Sequence, residues 1–95
     1  MQAISKIHLI ISIIKQGKRY VAYSPALDLS TSGKTELEAK NRFEEAADIF
    51  LEELTEAGTL SEVLKELGWY KARTNWQPPK LVSQKSVDLL VPATR

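Results

Sequence analysis

The chain has 95 residues, of which 43% are hydrophobic, so it can bury one core but has no room for a second domain of useful size. It contains no cysteine, which excludes disulfides and thiolate metal sites and fits the reducing cytoplasm, the compartment that we expect. The formal net charge is only +1. No run reaches 18 consecutive apolar residues, so we expect no membrane-spanning helix and no membrane partner.

The first predicted element is a β-strand over residues 5–15, which are rich in isoleucine and too few for a typical amphipathic helix. Alternation places Ile7, Leu9, Ile11 and Ile13 on one face and leaves the other face fairly apolar as well. Such a strand is typically covered by a helix on one side and by a second subunit or another element on the other. Because short chains also leave much surface exposed, we expect a homodimer or a higher homo-oligomer.

Two further strands are predicted to complete a three-stranded antiparallel sheet. Gln16 and Gly17 are typical of a tight turn, after which residues 18–24 form the partner strand of a hairpin. Pro25 cannot donate to a β-ladder and therefore marks a bend. Residues 29–32 then form a short third strand that ends at Gly33.

Two helices are predicted to pack on one face of this sheet. Thr35 and Glu38 form a capping box at the start of a long helix over residues 36–57, which Gly58 ends. Its apolar stripe recurs at spacings of three and four and consists of Ala39, Phe43, Ala46, Ala47, Phe50, Leu54 and Ala57. A second capping box at residues 59–62 opens a short helix that stops at Gly68.

The last third of the chain carries weaker signals. Periodicity disappears over residues 69–86, and Pro78 and Pro79 forbid regular structure around them. Residues 87–91 are predicted to form a last strand that returns to the sheet. The element order is therefore β-β-β-α-α-β, in a single α+β domain over residues 1–95.

Residues 20–45 resemble the signature of the HicB-like antitoxin family, with a Tyr-Val-Ala strand, a Ser-Pro-x-Leu bend and a Thr-x-Gly-x-Thr-x-x-Glu-Ala turn into a helix. The matching residues are Tyr20, Val21, Ala22, Pro25, Leu27, Thr31, Gly33, Thr35, Glu38 and Ala39. The resemblance implies a partial ribonuclease H-like fold and a role in masking a HicA-type toxin, a small basic RNA-cleaving protein. Many family members also carry a DNA-binding domain, but nothing after residue 68 resembles a recognition helix, so we expect none here. The alternative is a stand-alone relative without a toxin.

The long helix is the most charged element, since residues 34–66 hold ten acids against four bases. Five of these acids fall within about 80° of one another, opposite the phenylalanines, namely Glu38, Glu45, Asp48, Glu52 and Glu56. The early acids have basic partners four residues away in the pairs Glu36-Lys40 and Glu38-Arg42, whereas the later acids have none. This surface is either a solvated face or a docking surface for a basic partner, such as the RNA-binding face of a HicA-type toxin.

A second candidate surface lies at the predicted hairpin tip, where Lys15, Lys18 and Arg19 cluster ahead of Tyr20 and Tyr23. Basic residues interleaved with aromatic residues can bind single-stranded RNA through phosphate contacts and base stacking. Alternatively, lysines on an edge strand prevent unwanted strand pairing. The sequence leaves nucleic acid open as a partner.

Aromatic residues after the second helix form the third candidate. Trp69 and Tyr70, with Trp76 nearby, can anchor a protein partner, because aromatic side chains are enriched at binding hot spots. The alternative is that they pack over the chain's own core.

The sequence predicts no catalytic residue, no metal site and no cofactor. A ribonuclease H-like site holds Mg²⁺ with several carboxylates that begin on the first strand, and this chain has no acid before Asp28. His8 and Ser12 share a strand face, but no nearby acid is available to orient the imidazole for nucleophilic catalysis. We therefore expect an interaction protein that is not an enzyme.

Overall fold

The computed structural model describes residues 6–93. Its elements are β1 (Ser12–Gln16), β2 (Arg19–Ser24), β3 (Leu29–Gly33), α1 (Glu36–Glu56), α2 (Leu60–Glu66), β4 (Tyr70–Ala72) and β5 (Asn75–Gln77). The first three strands form an antiparallel sheet in the order β1-β2-β3, and β4 and β5 form a separate antiparallel pair. The predicted α+β class, with its three-stranded sheet and its long and short helices, is confirmed.

The β1–β2 hairpin has the predicted position but a shorter first strand. Gln16 pairs with Arg19, which leaves a two-residue loop in which Gly17 has a φ of +63°. The predicted strand over residues 5–15 begins only at Ser12 within the described residues. Since Ser12 pairs with Tyr23 and β2 ends one residue later, just before Pro25, residues upstream of Ile11 have no ladder partner.

Both helices end with the predicted glycines, and α1 begins with the predicted cap. Thr35 Oγ1 accepts a hydrogen bond from the Glu38 amide at 3.0 Å, and Glu38 Oε1 accepts from the Lys34 amide at 3.0 Å. At the other end Gly58 has a φ of +73°, and the Thr59 amide donates to the Leu54 carbonyl at 2.9 Å, which is a Schellman motif. Gly68 ends α2 in the same way.

The second predicted capping box is wrong, because the Thr59 side chain makes no cap hydrogen bond to α2. Its amide and its hydroxyl both donate instead to the Leu54 carbonyl, at 2.9 and 3.5 Å. Thr59 therefore closes α1 and does not open α2.

Replacing Thr35 by alanine is expected to lower the free energy of unfolding by about 1 kcal/mol, because the Glu38 amide loses its acceptor. The matched control is Thr55→Ala, since Thr55 lies inside α1 and only bonds back to the Leu51 carbonyl at 2.8 Å. Urea denaturation of both variants is the measurement. Equal effects of the two substitutions would contradict the capping role.

The core lies between the sheet and the two helices. Its buried apolar residues are Ala22, Ala26, Leu27, Ala39, Phe43, Leu64 and Trp69. The predicted stripe of α1 supplies Ala39 and Phe43, and Leu64 of α2 joins the same cluster, so both helices share one core. No helix within residues 6–93 is long and apolar enough to cross a bilayer.

The C-terminal third differs from the prediction. A hairpin of β4 and β5 forms where we expected no regular structure, and residues 87–91 form no strand. The C-terminal strands of the described chain are therefore β4 and β5, and the predicted position of the last strand, at residues 87–91, is wrong. A strand needs a hydrogen-bonding partner, and residues 78–93 pair with no strand of the described chain. We call residues 78–93 the tail. Its extension contributes to a radius of gyration of 16.6 Å, against about 12 Å for a compact chain of this length.

Candidate protein-binding site

Four of the five acids of the predicted surface form an exposed patch on α1 from Glu45 onward. Glu45, Asp48, Glu52 and Glu56 are all exposed, and we call these four residues the acidic face. No lysine or arginine occurs in residues 43–64, so the helix itself supplies no compensating charge to this surface. The core side of the same helix carries Phe43, which is buried.

Ion pairs of α1 are confined to its first half. Arg42 pairs with Glu38 at 3.4 Å, as predicted, but Lys40 pairs with Glu44 at 2.6 Å and not with Glu36. These are the only ion pairs among residues 6–93, so no described residue forms an ion pair with the acidic face. The acids at spacings of four therefore repel one another without compensation.

Glu38 belongs to the helix cap and not to the acidic face. The Lys34 backbone amide, followed by the charge of Arg42, lowers the pKa of the Glu38 carboxyl, although desolvation opposes this shift. Because the pKa is lowered in the folded state, this carboxylate stabilises the fold above its ordinary pKa and loses that effect as the pH falls through the lowered value. The Glu38 carboxylate is therefore already paired within the fold, with the Lys34 amide and Arg42, unlike the acids further along α1.

Ile49 is a member of this surface that the sequence reasoning missed. Its side chain is 55% exposed, although isoleucine is usually buried. At 100° per residue it lies about 20° from Glu56 and about 40° from Glu45 around the helix. Helical periodicity alone would have placed Ile49 on this side of α1. An apolar side chain surrounded by acids has the composition of a binding patch with a charged rim.

The hairpin-tip residues Lys15, Lys18 and Arg19 are all exposed. Lys15 Nζ lies 5.9 Å from the centre of the Tyr20 ring, and Arg19 Nη2 donates to Ser32 Oγ at 3.3 Å. Tyr20 also pairs with Gly33, which places this tip beside the start of α1. We call the three basic residues the basic end.

The fold therefore separates its charges along α1. This helix has 21 residues, and along its axis Glu45 lies about 14 Å and Glu56 about 30 Å from its start. Because the Debye length is about 8 Å at physiological ionic strength, the distal acids Glu52 and Glu56 are screened from the basic end, whereas Glu45 is closer to it.

The three predicted aromatic anchors divide between core and surface. Trp69 is only 3% exposed, and its Nε1 donates to the Ala26 carbonyl at 2.7 Å, so its assignment to a partner-binding surface is wrong. Tyr70 is 57% exposed and remains a predicted partner-binding residue. Trp76 is half-buried, with Lys71 Nζ 5.4 Å from the centre of its ring.

Two open clefts adjoin the segment before β1. One, of about 430 Å³, separates this segment from α1, and the other, of about 760 Å³, separates it from the tail. His8 and Ser12 both line the larger cleft, whose lining contains no acid, and His8 also lines the smaller cleft together with Glu44 and Asp48. Within residues 6–93 no three His, Asp or Glu side chains cluster as metal ligands would.

No family model, no curated protein and no solved structure matches this chain. The HicB-like resemblance therefore rests on residues 20–45 alone. Several of these residues have structural tasks in the fold: Thr31 Oγ1 donates to the Ala39 carbonyl at 2.9 Å, and a Cβ on Gly33 would lie 2.6 Å from the Ala39 nitrogen. The motif joins β3 tightly to α1 and so positions the helix that carries the acidic face.

Proposed function

We propose that this protein is a HicB-like antitoxin that binds a small basic HicA-type toxin and covers its RNA-binding surface. In this proposal the acidic face, with Ile49, is the docking surface. The observation that carries it is the exposure of four acids on the second half of α1, where no described residue pairs with them. The chain acts by binding and performs no chemistry.

The charge pattern of α1 supports a basic partner because it is unfavourable in the free protein. Asp48-Glu52 and Glu52-Glu56 are like-charge pairs at a spacing of four, each costing a few tenths of a kcal/mol. Acids near a helix C-terminus also oppose the helix macrodipole. A positively charged surface would relieve both effects, and proteins that bind RNA present such surfaces.

Apolar contacts are expected to supply most of the affinity. Charges at the rim of an interface chiefly raise the association rate and set specificity, whereas a few well-packed side chains dominate the binding free energy. Ile49 is placed to be such a side chain, because it is exposed beside Glu45 and Glu56. Tyr70 is a further exposed aromatic residue, which we include as a predicted contact.

Neutralising the acidic face is expected to weaken the complex with the toxin about 30-fold. The variant combines Glu45→Gln, Asp48→Asn and Glu52→Gln, and the estimate assigns somewhat under 1 kcal/mol to each exposed charge. The measurement is isothermal titration calorimetry with a purified, catalytically inactive HicA-type toxin as the titrant.

The matched control carries the same loss of three charges elsewhere, in Glu36→Gln, Glu62→Gln and Glu66→Gln, all of which are exposed. If the control weakens binding as much as the acidic-face variant, net charge and not this surface is responsible. If neither variant affects binding, the acidic face is not the docking surface.

The basic end supports a second candidate function, a stand-alone nucleic-acid-binding module. Its three cations are exposed, and Tyr20 lies beneath Lys15. In that case purified protein binds single-stranded RNA tightly at low salt, the affinity falls steeply as salt is added, and Lys15→Gln with Lys18→Gln abolishes it. RNA binding of this kind, together with no stable complex with a HicA-type toxin, would replace the antitoxin proposal.

A further inference from the structure

The tail carries an apolar segment that makes little contact with the other described residues. Val87, Leu89, Leu90 and Val91 are between 75% and 99% exposed, and the segment adopts neither helix nor strand. A contiguous exposed apolar segment of this kind usually marks an interaction site. The segment contains one acid, Asp88, among valines and leucines, and Pro92 follows, which is the composition of a short strand that ends at a proline.

The three-stranded sheet offers a matching edge. β1 pairs only with β2, so its outer row of backbone N–H and C=O groups is unpaired among the described residues. Exposed edges with apolar side chains readily accept an additional strand. Ile13 and Ile14 of β1 are exposed on opposite faces, at 37% and 43%.

The two elements match in pattern as well as in hydrogen bonding. In an extended segment Val87, Leu89 and Val91 lie on one face, and Asp88 and Leu90 lie on the other. The three-residue face suits the side of the sheet that bears α1, where Ala22 pairs with Ile13. Leu90 then falls on the opposite face, beside Ile14.

We propose that residues 87–91 of one chain add to the free edge of β1 of a second copy, in a reciprocal exchange that forms a two-fold dimer. Each chain offers one tail and one apolar edge, because the other edge strand, β3, has the mostly polar sequence Leu-Ser-Thr-Ser-Gly. Two copies therefore satisfy both, and the assembly closes. Each of the two tails would bury four exposed valines and leucines, at about 100 Å² for each side chain. Together with the surface that these side chains cover, the total buried area exceeds the roughly 1,000 Å² that a stable interface needs. This dimer does not depend on the proposed toxin.

The first test is the oligomeric state of the full chain by sedimentation equilibrium. The unmodified protein is expected to be a dimer, and Leu89→Asp with Leu90→Asp is expected to raise its dissociation constant at least 100-fold. Both side chains are more than 80% exposed, so the fold of the monomer does not need them. The matched control, Leu37→Asp, changes an exposed leucine of α1 and is expected to leave the dimer intact.

The second test locates the tail. Because the chain has no cysteine, Ala93→Cys accepts a single spin label at the end of the tail. When labelled chains are mixed with ¹⁵N-labelled chains that carry no spin label, the amides of β1 are expected to broaden. An unmodified protein that stays monomeric at millimolar concentration overturns the proposal, as does a dimer that the tail substitutions do not weaken. Broadening of β1 only when both labels are on the same chain shows that the tail returns to its own sheet, which also overturns it.

Discussion

Replacing Trp69 by alanine is expected to lower the free energy of unfolding by about 3–5 kcal/mol, the range for removing a buried tryptophan. The side chain is 3% exposed, and its indole nitrogen donates to the Ala26 carbonyl, 43 residues earlier in the chain. It therefore ties the segment after α2 to the bend that follows β2. Small domains have only about 5–15 kcal/mol of total stability, so this single substitution is expected to remove a large share of the stability of the fold.

Two further variants separate the contributions of packing and hydrogen bonding. Trp69→Phe keeps an aromatic ring but leaves the buried Ala26 carbonyl without its donor, for an expected loss of about 1–3 kcal/mol. Trp76→Ala is the matched control, because Trp76 is only half-buried and its loss is expected to cost less. Urea denaturation followed by far-ultraviolet circular dichroism is the measurement, since it does not depend on tryptophan fluorescence. Equal losses for Trp69→Ala and Trp76→Ala would contradict the core position of Trp69.

The parts of the fold that could be predicted from sequence are those decided by neighbours along the chain. The hairpin at Gly17, the cap at Thr35 and the left-handed glycines at 58 and 68 each depend on a few adjacent residues, and all four are present. Features that depend on distant partners were harder to predict. The first strand is limited by where β2 ends, and residues 87–91 have strand composition but no partner strand among residues 6–93.

The same distinction between local and distant determinants explains which residues of the candidate site could be predicted. The acidic face follows from helical periodicity, so Glu45, Asp48, Glu52 and Glu56 could be placed on one exposed surface from sequence. Ile49 was missed because its hydrophobicity predicts burial, although its angle around α1 predicts the acidic side. Trp69 was assigned to a binding surface because nothing local reveals its hydrogen bond to Ala26.

Gly33→Ala is expected to be the second most damaging substitution, costing about 1–3 kcal/mol, the usual range for overpacking. The sequence suggests that Gly33 provides backbone freedom at the turn into α1, but its φ is not among the positive values of this chain. Instead a Cβ at this position would lie 2.6 Å from the Ala39 backbone nitrogen and 2.9 Å from the Glu38 Cβ. The first atom belongs to the helix backbone and cannot turn aside, so the start of α1 must move away from β3.

Gly17→Ala is the matched control for this mechanism. Nothing lies within 4 Å of a Cβ on Gly17, but its φ of +63° strains any other residue, at a cost of about 1 kcal/mol. Hydrogen exchange distinguishes the two variants: Gly33→Ala is expected to speed exchange of the Ala39 amide, which bonds to the Thr35 carbonyl at 3.0 Å, whereas Gly17→Ala is not. An unchanged Ala39 amide in Gly33→Ala would mean that the helix does not approach the strand this closely. Because α1 also carries the acidic face, displacement of its first turn is expected to weaken partner binding without altering any residue of that face.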